Sequence, residues 1–85
     1  MTSNQSGLKL YIIYLRDGRM LVSKKVYSSW REIQDEYEAY MTSLGPWTVE
    51  AVLDYLRTDY PDSADRMREA VMHLESTPEM TCEIQ

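Results

Sequence analysis

The sequence predicts an α+β fold: a β-hairpin of two strands, or of three with a C-terminal strand, packed on two or three helices in the order β-β-α-α-α-β. Three observations predict it. Residues 8–27 are rich in β-forming residues and are interrupted once, at Asp17-Gly18. Apolar residues recur at helical spacing from Trp30 onward, and residues 80–85 alternate between apolar and polar.

The chain length and composition suit a single folded domain. Eighty-five residues with 44% hydrophobic content are enough for one small core. We assign this domain to residues 8–85. Residues 1–7 are polar after Met1 and have no apolar anchor, so we expect a disordered N-terminal lead there.

The hairpin is predicted to turn at Asp17-Gly18, a pair suited to a two-residue type I′ loop. In that register Leu15 faces Met20, and both faces of the hairpin are substantially apolar. A hairpin packed on one side alone would carry polar residues on the other. We therefore expect the second face to be covered as well, and a homodimer is one cover that the sequence predicts.

The first helix is predicted to begin near Trp30, with Ser29 and Glu32 placed as a capping box, and to end at Gly45-Pro46. Its apolar stripe comprises Trp30, Ile33, Tyr37, Tyr40, Met41 and Leu44.

Two further helices and a terminal strand follow. Thr48 is a suitable N-cap for a helix from Val49, whose stripe is Val49, Val52, Leu53, Leu56 and Tyr60. Pro61 breaks that stripe, and a third helix from Ala64 carries Met67, Val71 and Leu74 inward. The alternation of the last six residues is typical of a short strand added to the hairpin.

The residues required for common catalytic and metal sites are scarce. His73 and Cys82 are single copies on different predicted elements, so neither a nucleophile–base pair nor a structural zinc site is indicated. The three glycines are scattered and form no phosphate-binding loop. We therefore predict a protein that is not an enzyme and has no cofactor and no metal.

Charge is distributed unevenly along the chain, and this distribution predicts the functional surface. Residues 1–31 carry six basic residues against one acidic, whereas residues 32–85 carry thirteen acidic against three basic. An acidic surface favours docking onto a basic protein partner, although it can also serve solubility alone. The candidate partner-binding residues are Glu32, Asp35, Glu36, Glu38, Glu50 and Asp54.

A rival hypothesis uses the hairpin. Tyr11 and Tyr14 could stack on unpaired bases while Lys24 and Lys25 neutralise phosphates. The net charge of −5 opposes nucleic-acid binding, so we place this hypothesis second. An assembly subunit of a larger complex is a further alternative.

In size, charge and layout, the chain is similar to the small acidic inhibitors that phages and mobile elements encode against host nucleases and defence complexes. This analogy implies that the protein occupies a basic groove of such a partner and performs no chemistry. A single cysteine, the absence of a long apolar run and a polar N-terminus favour the cytoplasm and argue against membrane association.

Overall fold

The computed structural model describes residues 8–84 of the chain, and the lead predicted for residues 1–7 lies outside them. The described residues form an α+β domain with a four-stranded antiparallel sheet and three helices. In chain order the elements are β1 (Lys9–Leu15), β2 (Met20–Ser23), α1 (Trp30–Glu36), β3 (Tyr40–Thr48), α2 (Val49–Asp59), α3 (Ala64–Ser76) and β4 (Thr81–Glu83).

The first two strands form the predicted hairpin, but its register differs by one residue. Leu15 N–H donates to Arg19 O at 3.0 Å and Gly18 N–H donates to Leu15 O at 3.1 Å, so the loop holds three residues. Gly18 takes a left-handed φ of +93°, as expected at the end of a three-residue loop. Met20 therefore lies opposite Tyr14 and not opposite Leu15 as predicted, which moves the β2 side chains to the other face.

The predicted first helix is wrong beyond Glu36. The chain leaves α1 at Tyr37 with extended backbone (φ −120°, ψ 114°) and enters β3, which pairs antiparallel with β1. A helix that continued to Gly45-Pro46, as predicted, would leave the outer edge of β1 at residues 12–15 unpaired, whereas a strand satisfies those backbone groups. The element order is accordingly β-β-α-β-α-α-β.

The later elements agree with the sequence. The Thr48 hydroxyl accepts a hydrogen bond from Ala51 N–H at 3.1 Å and caps α2, which begins at Val49. The α3 helix begins at Ala64. The terminal strand forms as β4 and pairs with β2, giving the sheet order β3-β1-β2-β4.

Helices lie on both faces of the sheet, and each face has its own core. The α2/α3 face buries Leu10, Ile12, Met20, Val22, Val52, Leu56, Met67, Val71, Leu74 and Ile84. The α1 face buries Tyr11, Ile13, Leu15, Leu21, Tyr27, Ile33 and Tyr40. Because residues of a strand alternate between faces, the two-sided apolar pattern of the hairpin is accounted for by these two cores.

The homodimer expectation depended on an uncovered second face, and α1 packs on that face through Ile33. Homodimer formation therefore stays a prediction, but an uncovered face of the hairpin no longer supports it. Within residues 8–84, the structure contains no helix with the length and apolar character needed to cross a membrane.

Candidate functional site

The α1 helix presents most of its side chains outward. Ser29 caps its N-terminus by accepting a hydrogen bond from Arg31 N–H at 3.3 Å, and Ile33 is its buried residue. Glu32 and Asp35 lie one helical turn apart and are exposed, and Glu38 is exposed in the turn that follows the helix. These three carboxylates and Trp30 make up what we call the α1 surface.

Glu32 is held at the start of α1 by Ser28. Ser28 N–H donates to Glu32 Oε1 at 2.8 Å, and the Ser28 hydroxyl donates to Oε2 at 2.6 Å. These hydrogen bonds lower the pKa of Glu32 and keep its carboxylate charged. In the predicted capping box the Glu32 carboxylate would bind the backbone of Ser29, but in the structure it binds Ser28.

Glu36 differs from the other α1 acids because its charge is already compensated. Lys25 Nζ lies 2.9 Å from Glu36 Oε1, and the Tyr27 hydroxyl donates to the same oxygen at 3.0 Å. Burial, together with the Glu36 carboxylate, raises the pKa of Tyr27 to about 12, because both favour the protonated phenol. The contacts of Lys25 and Tyr27 with Glu36 connect α1 to the segment that follows β2.

The six predicted partner-binding residues do not form one surface. Glu50 and Asp54 lie on α2, which packs on the opposite face of the sheet from α1. Asp54 also pairs with Arg57 at 2.6 Å within α2. The structure thus brings together Glu32, Asp35, Glu36 and Glu38 and separates them from the α2 pair.

The predicted stripe placed Trp30 in the core, but the structure places it at the surface. It is 53% exposed, and its ring stacks on Tyr40 with centroids 6.4 Å apart and planes inclined by 15°. The Arg31 guanidinium lies 5.6 Å from the centroid of the same ring. The exposed Trp30 ring, supported by the buried Tyr40 ring, provides a large apolar contact area at the start of α1.

A groove of about 440 Å³ opens beside this aromatic pair, and we call it the Trp30 groove. Its lining residues are Tyr11, Ser28, Ser29, Trp30, Tyr40, Thr42, Ser43, Gly45 and Pro46. More than half of them belong to β3, an element that the sequence periodicity misassigned. The signal that could have identified this strand is its run of Tyr, Thr, Ser and Trp without any charge.

The two tyrosines of the nucleic-acid hypothesis are engaged inside the protein. Tyr11 is buried, and its hydroxyl donates to Tyr27 O at 3.2 Å. The Tyr14 hydroxyl lies 2.5 Å from that of Tyr55 and 3.1 Å from that of Tyr60, and burial raises its pKa well above the usual range. These two rings lie on opposite faces of the sheet, so they do not form a common stacking platform.

The two lysines of the same hypothesis also have intramolecular partners. Lys24 Nζ donates to Leu74 O at 2.6 Å and to Thr77 O. Lys25 pairs with Glu36 and lies 5.7 Å from the centroid of the Tyr27 ring. Both lysines therefore make contacts within the domain.

The remaining chemically active side chains lie apart from one another. His73 is exposed on α3, with Nε2 4.0 Å from the Glu79 carboxylate. Cys82 lies on β4, and burial raises the pKa of its thiol. Among residues 8–84, no three His, Cys, Asp or Glu side chains are grouped so that they could hold a metal ion.

Comparison of the chain with protein-family models, with curated proteins and with solved structures finds no match.

Proposed function

We propose that this protein is a non-catalytic binding module that docks its α1 surface onto a basic surface of a partner protein. The observation that carries the proposal is the half-exposed Trp30 at the start of a helix that also exposes Glu32 and Asp35, with Glu38 exposed in the turn that follows. Tryptophan is among the residues most enriched at the energetic centres of protein interfaces. Charged residues around such an anchor select the partner and accelerate association.

The free carboxylates of the α1 surface support this proposal. In the part of the chain that the structure describes, the ion pairs within 4.0 Å involve Asp17, Glu36, Asp54 and Glu79, so Asp35 and Glu38 are not neutralised by a neighbouring cation. Unpaired exposed carboxylates can exchange water for a partner's arginine or lysine without first breaking an internal ion pair.

The specific form of the proposal is an accessory inhibitor of the type that phages and mobile elements encode. Grooves that bind nucleic-acid phosphates, in nucleases and defence complexes, are basic and would complement the α1 surface in charge. In this form the protein acts by occupying such a groove, sterically and electrostatically, without chemistry.

The experiment compares two double charge reversals of equal size on opposite faces of the sheet. Asp35→Lys with Glu38→Lys alters the α1 surface, and Glu50→Lys with Asp54→Lys is the matched control on α2. Partners are captured on the immobilised wild-type protein from a nuclease-treated cell extract, identified by mass spectrometry and purified for affinity measurements.

The α1 reversal is expected to weaken partner binding by at least about tenfold, or ~1.4 kcal/mol, and the α2 reversal by less than about twofold. Binding of the wild-type protein should also weaken as salt rises, because exposed charges are screened beyond about 8 Å at physiological ionic strength. Equal losses for the two reversals, or a loss confined to the α2 pair, would contradict the proposal.

A further inference from the structure

The β3 strand forms one open edge of the sheet, and its residues 40–44 lack the charged side chains that protect many such edges. Native edge strands are commonly kept short or carry charged side chains that prevent pairing with another chain. The opposite edge strand, β4, follows this rule, since it has three residues and includes Glu83. The β3 strand has nine residues and no charged side chain. Pro46 disfavours pairing near its C-terminal end, so the part of this edge that is open to another strand is residues 40–44.

The backbone of Ser43 points toward this open edge. Leu15 N–H bonds to Arg19 O, so the backbone groups of Leu15 point toward β2. Because this direction alternates along an antiparallel strand, Ile13 also points toward β2. Ser43 lies opposite Ile13 in β3, so the two form a non-hydrogen-bonded pair and the N–H and C=O of Ser43 face outward.

The Trp30 groove runs along the same edge. Its β3 lining residues are Tyr40, Thr42, Ser43, Gly45 and Pro46, and Trp30 stands across from them. An added strand places alternate side chains on the two faces of the sheet. A strand paired with Ser43 would therefore direct one of its side chains into a groove of about 440 Å³ next to the exposed Trp30 ring.

Charge distinguishes between the occupants that could pair with this edge. Glu32 lies next to the groove, since its carboxylate accepts hydrogen bonds from the lining residue Ser28, and Asp35 follows one turn later. Arg31 lies over the Trp30 ring and Arg16 donates to Tyr40 O, so the acids Glu32, Asp35 and Glu38 outnumber the two cations near this edge by one. A second copy of the chain would bring another net charge of −5 and a second α1 surface to this edge. A basic segment would bring the complementary charge.

We propose that the β3 edge accepts an extended, basic segment of the partner protein as an additional strand. The segment pairs with the outward backbone of Ser43, places one apolar side chain in the Trp30 groove and directs its basic side chains toward Glu32 and Asp35. Backbone pairing at a sheet edge supplies affinity in this mode of recognition, and side-chain pockets supply specificity. This inference rests on the proposed docking to a basic partner and names the form in which the partner binds.

The test uses a random twelve-residue peptide library displayed on phage and selected on the wild-type protein. The tightest selected peptide is synthesised, and its affinity is measured for the wild-type protein, Ser43→Pro, Ser43→Ala and the α1 double reversal. Proline removes the outward N–H without removing a bond to β1, because edge strands tolerate proline where the N–H faces solvent. Alanine is the matched control, since it removes the hydroxyl bonded to Tyr40 and keeps the N–H.

The selected peptides should be basic with alternating apolar residues. Ser43→Pro should weaken binding by at least about tenfold and Ser43→Ala by less than about twofold. In the wild-type protein, hydrogen exchange of the Ser43 amide should slow when the peptide binds. The exchange measurement keeps the test decisive even if Ser43→Pro is misfolded, which a thermal melt would reveal.

The outcomes separate this inference from the proposed function. Equal binding by Ser43→Pro and Ser43→Ala, no change in Ser43 exchange, or no selected peptide would each overturn strand pairing. If only the α1 reversal weakens binding, strand pairing fails and acidic docking stands. If only Ser43→Pro weakens it, acidic docking and the requirement for a basic segment fail. A dimer in sedimentation that Ser43→Pro dissociates would assign the edge to a second copy and overturn the inference.

Discussion

Lys24 directly follows β2, and its ammonium group donates a hydrogen bond of 2.6 Å to the carbonyl oxygen of Leu74 in the last turn of α3. It also donates to Thr77 O just beyond the helix. The last carbonyls of a helix lack intrahelical donors and carry partial negative charge. One lysine of the hairpin therefore caps α3 and connects it to the sheet.

Replacing Lys24 by methionine tests this cap. Lys24→Met keeps the apolar stem and removes the charge and its donors, so we expect the free energy of unfolding to fall by about 1–2 kcal/mol. Lys25→Met is the matched control: it breaks an ion pair whose side chains are 39% and 30% exposed. Such a pair contributes less than about 1 kcal/mol. Urea unfolding measures both variants, and a loss for Lys25→Met as large as that for Lys24→Met would be inconsistent with the cap.

The elements that the sequence predicted correctly are those specified by neighbouring residues. Thr48 caps α2 through its own side chain, and Pro61 ends the apolar stripe within a few residues of where α3 begins. Capping and turn signals of this kind act over one helical turn. They are therefore readable without knowledge of the rest of the fold.

The misassigned strand depends on a distant partner. Tyr40, Met41 and Leu44 fit a helical stripe, but the same residues can also form a strand. The outer edge of β1 favours the strand over the helix, because pairing with β3 satisfies the backbone groups of β1. This edge lies about thirty residues earlier in the chain, and local periodicity contains no information about it.

The candidate site was predictable in composition but not in arrangement. The exposure of Glu32, Asp35 and Glu38 follows from their charge. Their separation from Glu50 and Asp54 does not, because it depends on α1 and α2 packing against opposite faces of the sheet. The one-residue difference in the hairpin loop had a similar effect on the face assignments of β2.

Gly45 offers a test of the β3 path against the sheet. It has φ of +120°, and a Cβ added there would lie 2.6 Å from Leu10 O. Gly18 is the internal control, because it also has positive φ but has nothing within 4 Å of an added Cβ. Gly18→Ala should therefore cost about 1–2 kcal/mol from its backbone conformation alone.

Gly45→Ala should cost about 1–3 kcal/mol more than Gly18→Ala, because the chain must move away from β1 to relieve the contact. Denaturant unfolding of the two variants measures the difference. If Gly45→Ala proves no more costly than Gly18→Ala, β3 does not approach Leu10 as closely as described.

The final prediction concerns the alkaline stability of the contact between Tyr27 and Glu36. Burial raises the pKa of Tyr27 to about 12, whereas a tyrosine in an unfolded chain titrates near 10. Between these values the unfolded chain has released the Tyr27 proton and the folded protein retains it. The unfolded state then binds fewer protons, so the free energy of unfolding must fall as pH rises.

The contribution of Tyr27 is therefore fully present below pH about 10 and is lost as the pH rises through about 12. Tyr27→Phe removes the titrating group and its hydrogen bonds to Glu36 and Ser23, so it should start less stable at pH 8, by about 1 kcal/mol. Its stability should then decline less steeply than that of the wild-type protein. Since both proteins share all other tyrosines and lysines, the difference between their urea-unfolding curves isolates Tyr27. Parallel curves from pH 10 to 12 would mean that its phenol is no harder to ionise in the folded protein than in the unfolded chain.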